Sequence, residues 1–291
     1  MTIAVTAASG RLGHALIPYL IEAAGAEQIV AVARDPGRLQ GSGVERRAGD
    51  YNSPEQMTAA LDGVDTVIMI SAPVAGDSDR VAMHRNVIDA AKQAGARKII
   101  FTSVIGDGRE AGTYFEATQN VNRQAEQDIQ ASGLEWIVAR NGLYLELDLV
   151  HIKLANVSGG VYRNNGGDGR CGYIGIEELA FALARLAVSD ECNGEIVNLI
   201  GPTYTQAELV EMANQVFGLN VRYEAISVEE NIKKFMANEQ IAARGIQVAQ
   251  MLSGCFQCIA KGAYDVTSDF ERATGRPPKS VLEQMEQIRS T

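Results

Sequence analysis

The chain has 291 residues, 46% of them apolar and 21% charged, with 26 Lys+Arg against 36 Asp+Glu and a formal net charge of −10. Such a chain is neither disordered nor collagen-like, and it is long enough to bury a substantial core without disulfide staples. The acidic balance excludes a protein that grips duplex nucleic acid, and it offers no attraction to an anionic membrane.

No apolar run reaches the roughly 18–20 residues of a membrane helix. Residues 1–6 enter a strand-like segment with no leader pattern. Cys171, Cys192, Cys255 and Cys258 are too few and too irregular for a secreted disulfide framework. The expected location is the cytoplasm.

In chain order, residues 2–6 read as a strand. After a glycine-containing turn, Leu12, Ala15, Leu16, Tyr19 and Leu20 follow the i, i+3, i+4, i+7, i+8 spacing of a helix with one buried face. Strands are expected over 28–33 and 44–48. Ser53 as N-cap and Pro54 at the first position open a helix over 54–61. The near-continuous apolar run 65–70 predicts a strand covered on both faces. A helix near 79–94 ends at Gly95, a strand covers 98–103, a helix covers 114–132 up to Gly133, and a strand covers 135–139. This alternation predicts an α/β fold, a doubly wound parallel sheet with helices on both faces.

The second half is less regular. Gly159-Gly160 and the stretch from Asn164 to Gly169 mark turns or a loop. Helices are expected over 176–189, 205–217 and across 228–260, with a strand over 195–200. The reading is a domain over 1–150 and a smaller substrate lobe over 151–291, packed on the carboxyl edge of the sheet. Whether the chain crosses back to the first domain is left open.

The most informative segment is Thr6-Ala7-Ala8-Ser9-Gly10-Arg11-Leu12-Gly13, between the first strand and the first helix. That is the context of a dinucleotide phosphate turn. Gly10 lets backbone N–H groups approach a pyrophosphate, Gly13 lets the helix pack closely on the sheet, and the helix N-terminus favours an anion. The spacing is A-x-x-G-x-x-G, with Ala7 where the usual fingerprint has its first glycine. At the end of the second strand an NAD site places an acidic residue and an NADP site a cation. Here the strand ends in Arg34, Arg38 follows, and Arg11 faces the same neighbourhood, so NADP(H) is favoured over NAD(H). Asp35 precedes Pro36 and reads as a turn residue.

These residues resemble the NmrA-like, atypical short-chain dehydrogenase/reductases, in particular bacterial NAD(P)H:quinone oxidoreductases and triphenylmethane reductases. The resemblance rests on VTAASGRLG (5–13), IVAVARDP (29–36), AGDYNSPE (48–55), HRNVIDAAKQAG (84–95), IIFTS (99–103), ASGLEWIVARNGLY (131–144) and SDFERATGRPP (268–278). It implies a Rossmann-type domain, a smaller C-terminal substrate lobe and NADPH in the cleft between them, with hydride passed to a quinone, dye or other conjugated small molecule. By position, Ser9, Gly10, Arg11, Leu12 and Gly13 are implied at the pyrophosphate and Arg34 and Arg38 at the 2′-phosphate. Asp50 and Tyr51 fall near the adenine, and Ser71, Ala72 and Pro73 along the ribose. Thr102, Ser103, Asn141, Gly142, Leu143 and Tyr144 flank the nicotinamide.

The departure from the family concerns the proton donor. Typical short-chain dehydrogenases carry Tyr-x-x-x-Lys, whose lysine lowers the tyrosine pKa. Here Thr118 and Asn122 occupy those two places, and Tyr114 lies outside the pattern. Ser103, Asn122 and Tyr144 are the candidate catalytic residues, with Tyr144 and His151 the candidates to line the acceptor pocket. Tyr144 reads equally as an acceptor contact or as plain packing. Two outcomes follow: a reductase whose acceptor needs little protein acid catalysis, or a non-catalytic NADP-binding regulator of NmrA type. Cys255-x-x-Cys258 lies in an apolar helical stretch and reads as core, no metal site is expected, and His84 and Arg85 are expected near the surface. A homodimer is left open.

Overall fold

The computed structural model describes residues 1–73 and 79–290. The first half builds β1 (Ile3–Val5), α1 (Arg11–Ala24), β2 (Ile29–Ala33), β3 (Glu45–Ala48), α2 (Pro54–Ala60), β4 (Thr66–Ile70), α3 (Arg80–Gln93), β5 (Lys98–Val104), α4 (Glu116–Gln130) and β6 (Glu135–Asn141). The second half adds β7 (Leu143–Tyr144), α5 (Leu145–Val157), β8 (Val161–Asn164), β9 (Cys171–Ile174), α6 (Ile176–Val188), β10 (Glu195–Leu199), β11 (Thr203–Tyr204), α7 (Gln206–Phe217), β12 (Arg222–Ala225), α8 (Val228–Met236), α9 (Glu239–Ala242), α10 (Ile246–Ala260), α11 (Phe270–Thr274) and α12 (Val281–Ser290).

Seven strands pair in the order β10-β6-β5-β4-β1-β2-β3, all parallel. The period of two along each strand sends side chains to both faces. Ile3 and Val5 join Leu12, Leu16 and Leu20 of α1 and Leu179 and Leu183 of α6. Ala4, with Val67 and Met69, joins α2 and α3 on the opposite face. Both faces are thus covered, which is why β4 and β5 read as unbroken apolar runs. β3 closes one edge with Glu45, Arg46 and Arg47, charges that discourage further strand pairing. Strand order reverses between β1 and β4, so a crevice opens beyond their carboxyl ends.

The chain crosses back after residue 151. β10 pairs with β6, and α6 packs on α1. The remaining strands form a three-stranded sheet, β11-β9-β7, and a pair, β12-β8. They share an apolar core with α5, α7, α10 and α12, in which Cys171 and Cys258 are buried and Cys255 is packed alongside. The helical stretch expected across 228–260 is three helices, α8, α9 and α10. The Asn238 side chain accepts from Gln240 N and Ile241 N to start α9, and Gly245, at φ 93°, turns the chain into α10. Gly and Asn at these two places are ordinary helix punctuation. Among the described residues no helix is long and apolar enough to cross a membrane.

Candidate functional site

The turn after β1 is built by small residues. Ala7 takes φ 50°, one of two non-glycine residues with positive φ among those described. The place where the usual fingerprint has glycine therefore keeps glycine's left-handed backbone, here at some steric cost to an alanine. Ala8 N–H donates to Val32 O (3.0 Å) and Gly10 N–H to Ala7 O (2.9 Å), which tightens the turn. A Cβ on Gly13 would lie 2.6 Å from Ala8 Cα, so only glycine lets α1 approach β1 this closely. Gly10 stands at the N-cap of α1 with no side chain to cap it and no acidic residue in the first turn. The first N–H groups of that helix are left for an anion.

A cleft of about 420 Å³ opens on this turn. Ala7 and the run from Ser9 to Gly13 form its floor, with Arg34 and Arg38 at one end and Ile70, Ser71, Pro73, Met83 and Tyr144 at the other. Arg11, Arg34 and Arg38 are all exposed, and none forms an ion pair among the described residues. Arg85, Arg97, Arg163 and Arg272, by contrast, are each paired with a carboxylate. Asp35 is turned away to its own loop, where Oδ1 accepts from Gly37 N (2.9 Å). Asp50 lines the cleft, with Oδ1 engaged by Asn52 N at 2.9 Å. Tyr51 also lines it, but its hydroxyl is drawn inward, bonded to Thr6 Oγ1 and donating to Ile70 O (2.7 Å). Burial raises that phenol above its ordinary pKa.

The other end rests on a buried polar network. Arg80 Nη2 donates to Ser71 Oγ (2.9 Å) and Asn122 Oδ1 (3.1 Å), and Arg80 Nε donates to Ala72 O (2.9 Å). Ser71 N–H donates to Thr102 Oγ1 (3.0 Å), and Ser71 Oγ donates to Asn122 Oδ1 (3.2 Å). The expectation that His84 lies near the surface is corrected. It is fully buried, and its Nε2 accepts from Ala72 N (2.9 Å). Nδ1 must then carry the ring proton, and it has no hydrogen-bond partner among the described residues. The ring meets Phe101 edge-on at 5.3 Å. Burial and the neighbouring Arg80 charge push the imidazole pKa down to about 3. Arg85, one residue on, is exposed and pairs with Asp128 (2.7 Å). The helical spacing Arg80, His84, Val87 and Ala91 places His84 on the apolar stripe of α3, a signal legible in the sequence.

Ser103 is buried, and its Oγ donates to Glu126 Oε1 (2.6 Å). Glu126 also receives Arg140 Nη2 at 2.6 Å and pairs with Arg123. Burial alone would raise this carboxyl, but Arg140, Arg123 and Ser103 together hold it below the usual range. Glu126 was missed by sequence reasoning, although Asn122, Ala125, Glu126 and Ile129 share the buried face of α4.

Asn141 ends β6 in the core. A Cβ on Gly142 would lie 2.6 Å from Gly172 O, so this glycine is the passage from the large sheet to the small one. Leu143 packs on the core of the second lobe. Tyr144 is half-buried in the cleft wall, its phenol pKa raised first by burial and further by Glu146, with Asn141 opposing. His151 lies exposed on α5, two turns further along. The stretch from Asn164 to Gly169 is a packed turn: Asn164 Oδ1 accepts from Gly166 N (2.8 Å), and a Cβ on Gly169 would strike Ile259 O.

The NAD(P)H-binding family matches residues 7–157, more than half of the chain. The chain belongs to the NAD(P)H-binding family. Quinone oxidoreductase 2 of Escherichia coli (strain K12) is 29% identical over 291 residues, covering 98% of each chain. The crystal structure of the NADPH-dependent quinone oxidoreductase from Escherichia coli complexed with NADPH superimposes with a TM-score of 0.88 at 27% identity, covering 99% of this chain and 100% of that one. The Citrobacter sp. triphenylmethane reductase complexed with NADP(H) gives 0.86 at 29% identity over 99% of both chains. The Rossmann-type architecture and the resemblance to quinone and dye reductases both hold.

Proposed function

We propose that this protein is an NADPH-dependent reductase that passes hydride to a quinone or another conjugated small molecule. The observation that carries this reading is a set of three arginines, without an ion-pair partner among the described residues, around a cleft floored by a helix N-terminus. A dinucleotide phosphate turn needs the helix end, and forked guanidinium donors beside it suit a further phosphate. The family membership and the cofactors named for the two solved relatives agree with it.

The bound nicotinamide supplies the hydride. The residues of this chain bind it, orient it and keep water from it. Ser9 to Gly13 hold the pyrophosphate, and Arg34 and Arg38 hold the 2′-phosphate. The network of Arg80, Ser71, Asn122 and Thr102 fixes the wall at the carboxyl end of β4. Ser103 spends its proton on Glu126, and Asn122 offers its carbonyl oxygen to Arg80 and Ser71, so both act as supports for the wall. Tyr144 is the member of the candidate catalytic set that lines the cleft, and we assign it to contact with the acceptor. Positioning dominates such a reaction, since an easily reduced acceptor asks little of a protein acid.

The test is to mix purified protein with NADPH and a panel of quinones, enones and cationic dyes, following the loss of reduced cofactor. Oxidation dependent on one of these classes is the expected result. Tight NADPH binding with no oxidation by any member would overturn the reductase and leave a cofactor-binding regulator.

A further inference from the structure

A second cavity, of about 700 Å³, lies behind the phosphate turn and shares Ser9, Gly10 and Arg11 with the first. Its other walls are the start of α5, the start of α6 and the last turns of α12. Glu146 projects into it from the first turn of α5. Its Oε1 accepts from Ile176 N at 2.8 Å, at the N-terminus of α6, which fixes the carboxyl group in place. Its Oε2 is buried and has no hydrogen-bond partner among the described residues. A carboxyl oxygen so placed costs free energy until something meets it.

The charges around it are few. From α1 come Arg11 and His14. From α6 come Glu177, which is exposed, and Glu178, whose charge is taken up by Arg276 (2.9 Å) and Lys279 (3.7 Å). The α12 side is neutral, with Gln284 Oε1 accepting from Gly175 N. On α5 itself, Asp148 is engaged by Tyr162 (2.6 Å). Burial, the largest effect, and Glu177 raise the Glu146 pKa above the usual carboxyl value, while the Ile176 N–H, its own N–H and Arg11 oppose. A dinucleotide on the shared turn brings further negative charge. An ionised Glu146 would repel it, whereas a carboxylic acid presents an O–H to a phosphate oxygen.

We infer that Glu146 is a cofactor-binding residue that works in its acid form, its Oε2 donating a proton-bearing hydrogen bond to the dinucleotide phosphates, so that binding takes up a proton. The inference rests on the assignment of those phosphates to the Ser9–Gly13 turn. It does not depend on the identity of the acceptor.

By linkage, the phosphates raise the Glu146 pKa in the complex above its value in the free protein. Affinity is therefore highest at low pH and falls as pH rises between the two values, by up to about tenfold per pH unit. The experiment is calorimetric titration of the full chain with NADPH in buffers of different ionisation heat, from about pH 5 to about pH 8, comparing wild type with Glu146→Gln. The glutamine keeps a carbonyl for Ile176 N–H. The cofactor's own 2′-phosphate, which titrates near about pH 6, cancels in the comparison. Wild type is expected to take up as much as one proton more than the variant, and its affinity to fall more steeply with pH. Equal proton numbers for both proteins at every pH would overturn the inference.

Infrared difference spectra of the wild type give a second readout that needs no stable variant. NADPH should raise or shift a carboxylic-acid carbonyl band, and its absence would also overturn the inference. Should Gly13→Val leave NADPH affinity unchanged, the phosphate assignment itself fails, and the role of Glu146 falls with it.

Discussion

The two ends of the cleft manage polar groups in opposite ways. At the end of β2, Arg34 and Arg38 stand exposed with no carboxylate partner among the described residues, and Arg11 joins them from α1. At the end of β4, Ser71, Thr102, Asn122, Arg80 and His84 answer one another, and behind them Ser103, Glu126, Arg123 and Arg140 do the same. An unsatisfied set of donors gains when a ligand arrives, because its hydrogen-bonding capacity is still free. A satisfied set gains little by meeting a ligand directly and instead holds a surface in one shape. On the proposed reading, one end of the cleft serves capture and the other rigidity.

The largest test of this contrast is at the floor both ends share. Gly13→Val drives a side chain into the Ala8 backbone. NADPH affinity should fall by about 100-fold, near 2.7 kcal/mol, in a fluorescence titration. At the capturing end, Arg34→Ala should remove a charge-assisted contact worth about 1.5–3 kcal/mol. NADPH then weakens by about 10-fold to about 100-fold while NADH stays within about twofold. Equal losses for both cofactors would show that Arg34 does not read the 2′-phosphate.

The rigid end is tested by acid. His84 is neutral in the fold, with its pKa lowered to about 3 by burial and by Arg80, whereas an unfolded histidine protonates near 6.5. The unfolded chain thus binds the extra proton below about pH 6.5, and stability falls as pH drops from there toward the folded value. The slope from this residue approaches about 1.4 kcal/mol per pH unit. Urea unfolding of His84→Gln, which retains an acceptor for Ala72 N–H, should lose that part of the slope. The smallest effect is expected from Ser103→Ala. Glu126 keeps both arginines, so the cost is about 0.5–1.5 kcal/mol of stability, and turnover stays within about twofold. A loss of turnover above about 100-fold would instead place Ser103 on the proton path.

The capturing end was largely legible in the sequence, because its chemistry is local. Glycines three residues apart after a strand, and an arginine at the end of the next strand, carry their meaning without any partner. Even the departure at Ala7 left the turn readable, since the backbone there keeps the left-handed conformation that the missing glycine would have supplied. The rigid end is non-local. His84 depends on Ala72, and Glu126 on Ser103 and Arg140, pairs that only the packing of α3 and α4 against the sheet brings together. Their helical spacing marked them as inward-facing, but polar side chains on an apolar stripe are easily read as surface. Glu146 was hidden for a related reason: its partner, Ile176, lies beyond two sheet connections.

The path of the chain between the two lobes has a mechanical consequence. It leaves the large sheet at Gly142, returns through α6 and β10, leaves again into β11, and comes back once more at Phe270 before α12 rejoins the smaller lobe. Lobes joined by a single strap can swing apart like a hinged jaw, but lobes sewn together by several strands resist that rotation. Entry and exit of a ligand then fall to loops and side chains at the rim. Heating should also melt both lobes together, as one calorimetric transition whose enthalpy matches its van't Hoff value, since the chain passes between them several times.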